Sequence, residues 1–426
     1  MARRSVAVVG GGLAGLAAGL ELSDAGYEVE LFERSRLLGG RATSFEIDGV
    51  EVDNGQHVFL GCCSDFQSFV GRAGMGDRLA LQERFDALVV TRDGTSRLRA
   101  ARLPAPWHLL ASFARFGALG IRSKIDVARA LAAAARNGDA RNETFAQWLR
   151  RRKQSDEAIR VFWTPFFVPA LNVALDEMDA SEALFTLRTA FLGDAGAARF
   201  GFSTVPLAHI ADAAAARVAR VHRSTSVASL ETNADATRLE GLVTTSGERR
   251  EFDAFVLALT PPQLHRLLRE PARYGVPPLE VFTPHPIVDV HLRYASPHPE
   301  RVEGFDFAAL VDSPVQWVFR KGEGYLCCSM SAADAHYRRS SEDVIRLAWD
   351  EVQAIPAMRG ARLERGAVTR NPEATFSAPP DAVRPGPETS LANLALAGSW
   401  TRTGWPDTME SAVRSGFAAA RRIMTG

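Results

Sequence analysis

Three glycines near the start of the chain have the spacing of a phosphate-binding turn. Gly10, Gly12 and Gly15 form the pattern G-x-G-x-x-G between an apolar strand candidate and a helix candidate. The first glycine permits a tight turn, the second lets the backbone approach a pyrophosphate, and the third lets the helix pack closely on the sheet. The helix N-terminus, at Leu13 and Ala14, supplies amide donors and partial positive charge. The pattern therefore predicts a dinucleotide-binding site.

An acidic residue and a second glycine motif follow at the expected distance. Glu33 ends the next predicted strand, where it can accept hydrogen bonds from an adenosine ribose, and Arg34 follows as a further candidate contact. Gly39, Gly40 and Arg41 come just after it. They would bring flexible backbone and a guanidinium to the second half of an extended cofactor. This second motif favours FAD over NAD.

The segments that carry these motifs have the periodicity of one α/β sheet. Residues 5–9 predict a strand, 13–25 a helix and 28–33 a second strand, which together make half of a Rossmann-type sheet. Later in the chain the same pattern predicts a helix, a buried strand, and a last strand and helix, at 205–219, 255–259, 394–398 and 408–423.

Two domains are expected, because 426 residues exceed what one hydrophobic core usually serves. The predicted fold class is α/β, with a Rossmann-type FAD-binding domain interleaved with a mixed α+β substrate domain that caps it. Residues 1–64, 201–280 and 386–426 would build the FAD-binding domain. The substrate-binding domain would comprise 65–200, predicted to be mainly helical, and 281–385, which contains strand candidates.

Composition and charge indicate an ordinary globular protein and give no sign of a nucleic-acid partner. Lys plus Arg and Asp plus Glu number 50 each. The four cysteines form two adjacent pairs, Cys62-Cys63 and Cys327-Cys328, a spacing that suits neither a disulfide framework nor a zinc or iron–sulfur site. We therefore expect no metal and a reducing, cytoplasmic location. The sequence indicates no oligomeric state.

One stretch has the composition of a membrane-surface segment. Residues 103–121 contain a single charged residue, Arg115, and Arg102 and Arg122 flank them. Such a segment can lie in the headgroup region of a bilayer, held by apolar burial and attraction to anionic lipid. The alternative is a pair of buried helices in the substrate domain. Peripheral contact at the inner face of the cytoplasmic membrane is thus one of two expectations, and a spanning helix is not expected.

The run from Val6 to Arg41 resembles the N-terminus of the amine oxidase and phytoene desaturase superfamily. Members of that superfamily place such a Gly-Gly-Arg segment against the FAD pyrophosphate. The resemblance implies that Arg41 is a phosphate contact and that Val227 supplies backbone contacts to the adenine. It also implies the FAD cofactor that the glycine motifs predict.

The C-terminal segment resembles the final FAD motif of the same superfamily. Gly398-Ser399 and the region of Thr408 and Met409 carry this resemblance. A helix that begins there would direct its N-terminal amides at the flavin and stabilise the negative charge of the reduced form. The superfamily usually has an acidic residue after that glycine, whereas this chain has Ser399.

A further resemblance concerns the reaction. Asp53, Asn54, Gly55, Gln56 and His57 form a DNGQH segment that resembles the hydroxysqualene dehydroxylases. The resemblance implies that this segment lies beside the flavin and that the substrate is a polyisoprenoid. In that reaction hydroxysqualene loses its hydroxyl as water, receives a hydride from reduced FAD and becomes squalene. Two other segments are similar to theirs, 166–173 and 404–406.

Departure of an allylic hydroxyl needs a proton donor. His57 is the predicted donor because imidazole titrates near neutrality, and Asp53 is expected to orient the loop. His57 or Gln56 could instead hydrogen-bond the flavin. Six aromatic residues could line a long apolar pocket or belong to the core: Phe162, Trp163, Phe166, Phe167, Phe185 and Phe191.

Three other functions stay open at this stage. A carotenoid desaturase would share the fold and an apolar substrate, but its net electron flow would be opposite. In an amine oxidase the superfamily provides a lysine near the flavin, and Lys321 is the candidate in the central strands. A flavoprotein scaffold without catalysis is the third.

Overall fold

The computed structural model describes residues 3–47, 49–135, 140–296 and 305–426. The strands of this part are, in chain order, β1 Ser5–Val9, β2 Glu28–Phe32, β3 Ser44–Ile47, β4 Val50–Asp53, β5 Phe59–Leu60, β6 Leu79–Leu81, β7 Asp86–Thr91, β8 Gly94–Arg99, β9 Phe200–Ser203, β10 Arg220–His222, β11 Val227–Thr232, β12 Leu239–Thr244, β13 Arg249–Glu251, β14 Ala254–Ala258, β15 Thr283–Ala295, β16 Phe307–Leu310, β17 Trp317–Gly322, β18 Tyr325–Met330, β19 Arg362–Ser377 and β20 Leu394–Ala397. The α-helices are Leu13–Asp24, Ser64–Arg72, Leu110–Ala114, Ile121–Ala134, Phe145–Arg151, Asp156–Ala158, Thr164–Leu171, Ala180–Leu187, Leu207–Ala215, Pro261–Leu268, Asp334–Tyr337, Ser341–Val352 and Met409–Thr425.

Five parallel strands form the first sheet, in the order β10-β2-β1-β14-β20. Strands β1, β14 and β20 are apolar and buried, as expected when both faces of a parallel sheet are covered. Val6 and Val8 of β1 face the first helix and the C-terminal helix, whereas Ala7 and Val9 face the other side. The predicted α/β class is confirmed, and the strand–helix–strand prediction for the N-terminus is confirmed to within one residue at each boundary.

The first helix and the C-terminal helix, Met409–Thr425, pack against each other over this sheet. Gly416 makes the approach possible, because a Cβ at that position would lie 2.2 Å from the carbonyl oxygen of Ala14. Small residues on the C-terminal helix therefore serve close packing. The two ends of the chain meet in one core.

A second sheet has seven strands in the order β19-β15-β18-β17-β16-β7-β8. Side chains alternate between its two faces. Val288, Val290 and Leu292 of β15 pack with the helix Ser341–Val352. The residues between them, including Asp289 and His291, consequently lie on the opposite face.

The prediction that 65–200 is mainly helical is correct from 110 to 192 but misses β6, β7 and β8. The β7–β8 hairpin forms one edge of the second sheet. Its alternation of apolar and polar residues is a strand signal in an otherwise Ala- and Arg-rich region. The helix Ser64–Arg72 also differs from expectation, because its Phe66 and Phe69 pack in the core of the first sheet.

Residues 103–121 form a short turn at Trp107–Leu109 and the helix Leu110–Ala114. Phe116 and Leu119 are buried in the domain core, whereas Leu103, at 50%, is exposed. The segment therefore has both buried and exposed apolar side chains, and its contact with a membrane stays a prediction. Among the described residues, the helices are too short or too polar to cross a membrane.

Candidate active site

The glycine turn after β1 has the shape of a cofactor cradle. Gly10 has a φ of +107°, and a Cβ there would lie 2.3 Å from the carbonyl oxygen of Ala258. A Cβ on Gly15 would lie 1.9 Å from the oxygen of Gly10. Around Gly12, in contrast, a Cβ would meet no protein atom closer than 3.8 Å. Gly10 and Gly15 serve the fold, and Gly12 leaves space for a ligand.

The second glycine motif is hydrogen-bonded to the first. The amide of Gly39 donates to the carbonyl of Gly11 at 2.8 Å, and Gly40 has a φ of +62°. The first helix begins after Gly12 without a side-chain cap, so the amides of its first turn, at Leu13 and Ala14, suit an anionic ligand. The two motifs thus form one continuous surface, and phosphate binding by it stays a prediction.

The predicted adenosine side of the site is assembled around Glu33. Its Oε2 accepts a hydrogen bond from the amide of Gly11 at 2.7 Å. Its backbone carbonyl accepts from Thr225 at 2.8 Å, two residues before Val227 and the start of β11. Arg34 is exposed at the same edge. The predicted adenosine contacts therefore lie close together.

The guanidinium of Arg41 is held by the C-terminal segment. Its two terminal nitrogens donate to the two carboxylate oxygens of Asp407 at 3.0 and 3.1 Å, and one of them also donates to the hydroxyl of Ser399. Asp407 is only 6% exposed. The carboxylate that the resemblance leads us to expect after Gly398 is thus replaced by Ser399, and Asp407 supplies negative charge to the same region.

The remaining predicted C-terminal contacts lie beside this ion pair. Gly398 has a φ of +151° and donates its amide to Ser415 at 2.9 Å. Thr408 caps the C-terminal helix, which begins at Met409. With the space at Gly12, the uncapped first helix and the Arg41 guanidinium, the residues present fit FAD.

The DNGQH loop is attached to the Arg41 segment. Asn54 donates its side-chain amide to the carbonyl of Arg41 at 2.7 Å and accepts a hydrogen bond from His57 Nε2 at 3.0 Å. Asp53 accepts from the hydroxyl of Ser44 at 2.7 Å. Asp53 is thus held by β3, its loop-orienting role stays a prediction, and Asn54 connects His57 to the Arg41 segment.

The structure does not favour His57 as the proton donor. Burial lowers the pKa of His57 from 6.5 to about 4, so the ring is neutral near pH 7. Its Nε2–H is already donated to Asn54. A neutral imidazole in this arrangement has no acidic proton to give to a hydroxyl group. The side-chain oxygen of the neighbouring Gln56 is buried and has no hydrogen-bond partner in the described part of the chain.

A second polar strand faces the DNGQH loop, and sequence reasoning missed it. Asp289 of β15 lies against Gly55, where a Cβ would be 2.8 Å from Asp289 Oδ2 and 3.9 Å from His57 Nε2. Burial raises the pKa of Asp289 from 3.8 to about 7. The sequence contains a signal for this site, because two ionisable residues, Asp289 and His291, interrupt an otherwise apolar strand at every second position.

Further polar side chains extend this cluster along the same sheet face. His291 Nδ1 is 2.7 Å from the hydroxyl of Tyr325. Burial lowers the pKa of His291 to about 4 and raises the pKa of Tyr325. Lys321 Nζ lies 3.8 Å from Asp53 Oδ2, so this lysine is paired with a loop carboxylate. We call Asp53, His57, Asp289, His291, Lys321 and Tyr325 the polar cluster.

The six candidate pocket aromatics differ in their surroundings. Trp163 and Phe167 are buried in a hydrophobic core built mainly by residues 85–198. Phe162, Phe166 and Phe191 are partly buried against that core. Phe185 packs edge-on against Trp405 in the C-terminal motif, with ring centroids 5.2 Å apart. Of the six, Phe185 is thus the one in contact with a predicted cofactor segment.

Comparisons with known proteins agree with this geometry. The family model "Flavin containing amine oxidoreductase" matches residues 13–424. The hydroxysqualene dehydroxylase of Zymomonas mobilis is 27% identical over 443 residues, which span 97% of each chain. The zeta-carotene desaturase of Synechocystis is 26% identical over 479 residues, which span 98% of this chain and 97% of the relative.

Two solved structures illustrate the likeness in fold. The putative protoporphyrinogen oxidase from Exiguobacterium has a TM-score of 0.74 at 16% identity, and the alignment covers 100% of this chain and 99% of the other. Putrescine oxidase bound to putrescine has a TM-score of 0.72 at 18% identity and covers 100% of both chains. At these identities the likeness concerns the fold alone.

Proposed function

This chain belongs to the flavin containing amine oxidoreductase family, and we propose that it converts hydroxysqualene to squalene by reductive dehydroxylation. It is an FAD-dependent oxidoreductase, and bound FAD in its reduced form supplies the hydride. The residues that would hold the cofactor are those of the two glycine motifs, Glu33, Arg41 and the start of the C-terminal helix.

The polar cluster is the feature that favours dehydroxylation over desaturation. The dehydroxylase and desaturase relatives are almost equally similar to the chain, so similarity does not decide. Loss of a hydroxyl needs hydrogen-bonding groups and a proton at the departing oxygen. A hydrocarbon substrate offers nothing for such groups to bind, and burying them costs free energy. Asp289 and His291, which are 1% and 7% exposed, therefore favour an oxygenated substrate.

The test is anaerobic incubation of dithionite-reduced enzyme with hydroxysqualene, followed by mass spectrometry of the products. We expect squalene from the reduced enzyme and none from the oxidised enzyme. If the reduced enzyme retains FAD but forms no squalene, the proposed function is wrong. Conjugated polyenes from phytoene or zeta-carotene would instead identify a desaturase, and hydrogen peroxide released with amines would identify an amine oxidase.

We also propose that the protein works in the cytoplasm as a peripheral protein at the inner face of the membrane. Of the seven large hydrophobic side chains that are exposed in the described residues, five lie within 103–125. We call them the exposed apolar patch: Leu103, Trp107, Leu110, Ile121 and Ile125. Four exposed arginines lie in or next to the same stretch of chain: Arg102, Arg115, Arg122 and Arg129. Apolar side chains with a basic rim suit an anionic bilayer, in which a polyisoprenoid substrate would be dissolved.

A further inference from the structure

Asp289 is a buried carboxyl group with an unused oxygen. It lies in the middle of β15, is 1% exposed, and faces Gly55 of the DNGQH loop. Its Oδ1 is buried and has no hydrogen-bond partner in the part of the chain that the structure describes. Leaving such an atom unpaired is costly unless a ligand uses it. The atom is therefore a candidate contact for a polar group of the substrate.

The surroundings of Asp289 keep its carboxyl group protonated near neutrality. Burial raises its pKa to about 7, and the hydrogen-bonding groups of Ser329 and the Gln56 backbone, together with the charge of Lys321, only partly oppose this. Lys321 is itself paired with Asp53. The other titratable groups that face this region are His57 and His291, which are neutral, and Tyr325 and Cys327, whose pKa values are raised.

We propose that Asp289 is the catalytic acid that protonates the departing hydroxyl of the substrate. This inference rests on the proposed function. The O–H bond of the Asp289 carboxyl breaks, its proton passes to the hydroxyl oxygen, and the C–O bond breaks with its electron pair left on the water that departs. The allylic cation accepts the hydride that the overall reduction requires. A proton from solvent then restores the carboxyl group.

Two neighbouring groups are less suited to this step. The ring of His57 is neutral and its N–H is donated to Asn54. The hydroxyl of Tyr325 has a raised pKa and contacts His291. Asp289 thus combines burial, an unpaired oxygen and a proton that is available near pH 7.

The first experiment compares Asp289→Asn with the parent enzyme in single turnovers of the reduced holoenzyme. Asparagine keeps the shape but cannot give a proton, so we expect the rate to fall about 100-fold or more. FAD content and squalene binding should be unchanged. The control is Asp306→Asn, an aspartate whose side chain is 57% exposed and paired with Arg320. If Asp289→Asn retains a rate within about threefold of the parent, the proposal is wrong.

The second experiment needs no turnover. Because the folded-state pKa of Asp289 is raised from 3.8 to about 7, the folded state binds the proton more tightly than the unfolded chain. The parent protein should therefore lose stability as the pH rises from about 4 to about 7 through this group. Asp289→Asn should not show that loss of stability. At pH 8 the urea midpoint of the variant should therefore be higher than that of the parent. Equal midpoints for parent and variant at every pH would overturn the proposal.

A third variant tests the acid role through the pH dependence of the single-turnover rate. That dependence would not change if Asp289 had only a structural role. Ser329→Ala removes a hydrogen bond that lowers the pKa of Asp289. The single-turnover rate of the parent should fall above about pH 7, and in Ser329→Ala this fall should move to higher pH. An unshifted profile counts against the proposal. If the parent forms no squalene at any pH, the proposed function fails, and the urea experiment still decides whether Asp289 is protonated.

Discussion

The guanidinium of Arg41 and the carboxylate of Asp407 meet in two parallel hydrogen bonds, 3.0 and 3.1 Å long. The two residues are 366 positions apart, so the pair joins the N-terminal glycine segment to the C-terminal motif. Such bidentate pairs fix the orientation of the guanidinium plane. The cofactor contact predicted for Arg41 therefore depends on a residue near the other end of the chain.

Replacement of Asp407 should weaken FAD binding. In Asp407→Asn the guanidinium loses its charged partner, so we expect about tenfold weaker FAD binding and unfolding free energy lower by about 2 kcal/mol. Fluorescence titration of the FAD-free protein measures the first effect and urea unfolding the second. Ser399→Ala, which removes a neutral acceptor, should have the smaller effect on both. FAD binding by Asp407→Asn that equals that of the parent would contradict this prediction.

Two glycine substitutions should separate folding from cofactor binding. Gly15→Ala places a Cβ 1.9 Å from a backbone oxygen, so the protein should lose about 2 kcal/mol or more of stability. Gly12→Ala meets no protein atom within 3.8 Å, so the FAD-free protein should melt at the temperature of the parent. It should nevertheless purify without flavin, as judged by its visible spectrum. A yellow Gly12→Ala protein would argue against a pyrophosphate at this turn.

Acid should destabilise the protein through its buried histidines. The folded-state pKa values of His57 and His291 are lowered from 6.5 to about 4. Between these values the unfolded chain binds protons that the folded chain does not, so stability is lost as the pH falls from 6.5 toward 4. Each histidine contributes on the order of 3 kcal/mol at most.

The measurement is the urea midpoint between pH 7 and pH 4 for the parent and for His291→Gln. The midpoint of the variant should fall less on acidification. The matched control is His209→Gln, because the side chain of His209 is 50% exposed and carries no comparable burial cost. If the urea midpoint of His291→Gln falls as steeply as that of the parent, His291 is not a buried neutral group in the folded protein.

The exposed apolar patch should bind anionic vesicles. The double variant Trp107→Asp and Ile121→Asp replaces side chains that are 59% and 79% exposed, so its fold should be unaffected. We expect co-sedimentation with phosphatidylglycerol vesicles to weaken about tenfold or more, because apolar burial is lost and negative charge is introduced. Val383→Asp is the control, since Val383 is 70% exposed outside the patch. Equal loss in both variants would contradict a specific contact.

The cofactor motifs could be predicted from the sequence because their information is local. Gly10 to Gly15 and Gly39 to Arg41 each contain within a few residues the turn chemistry that their positions require. The flanking strands and helices follow from hydrophobic periodicity, and they lie where the sequence predicts them. Short-range patterns of this kind need no knowledge of the fold.

The polar cluster could not be predicted in the same way. Asp289 meets the DNGQH loop only because β15 pairs with β18 and β19 and the resulting sheet lies over that loop. No local sequence pattern specifies the register of these strands or the contact between the sheet and the loop. The pKa of His57 could not be predicted for a related reason, since the pKa of an imidazole depends on burial that only the fold defines.

The contact between Gly416 and Ala14 also has a consequence for biosynthesis. The first helix leaves the ribosome early, but the helix that covers it is encoded some 400 residues later, about 20–80 s at ordinary rates of synthesis. Until then the side of the first helix that packs on the C-terminal helix is uncovered, and Arg41 has no Asp407. This part of the core and the Arg41–Asp407 pair can therefore form only after the C-terminal segment has been synthesised.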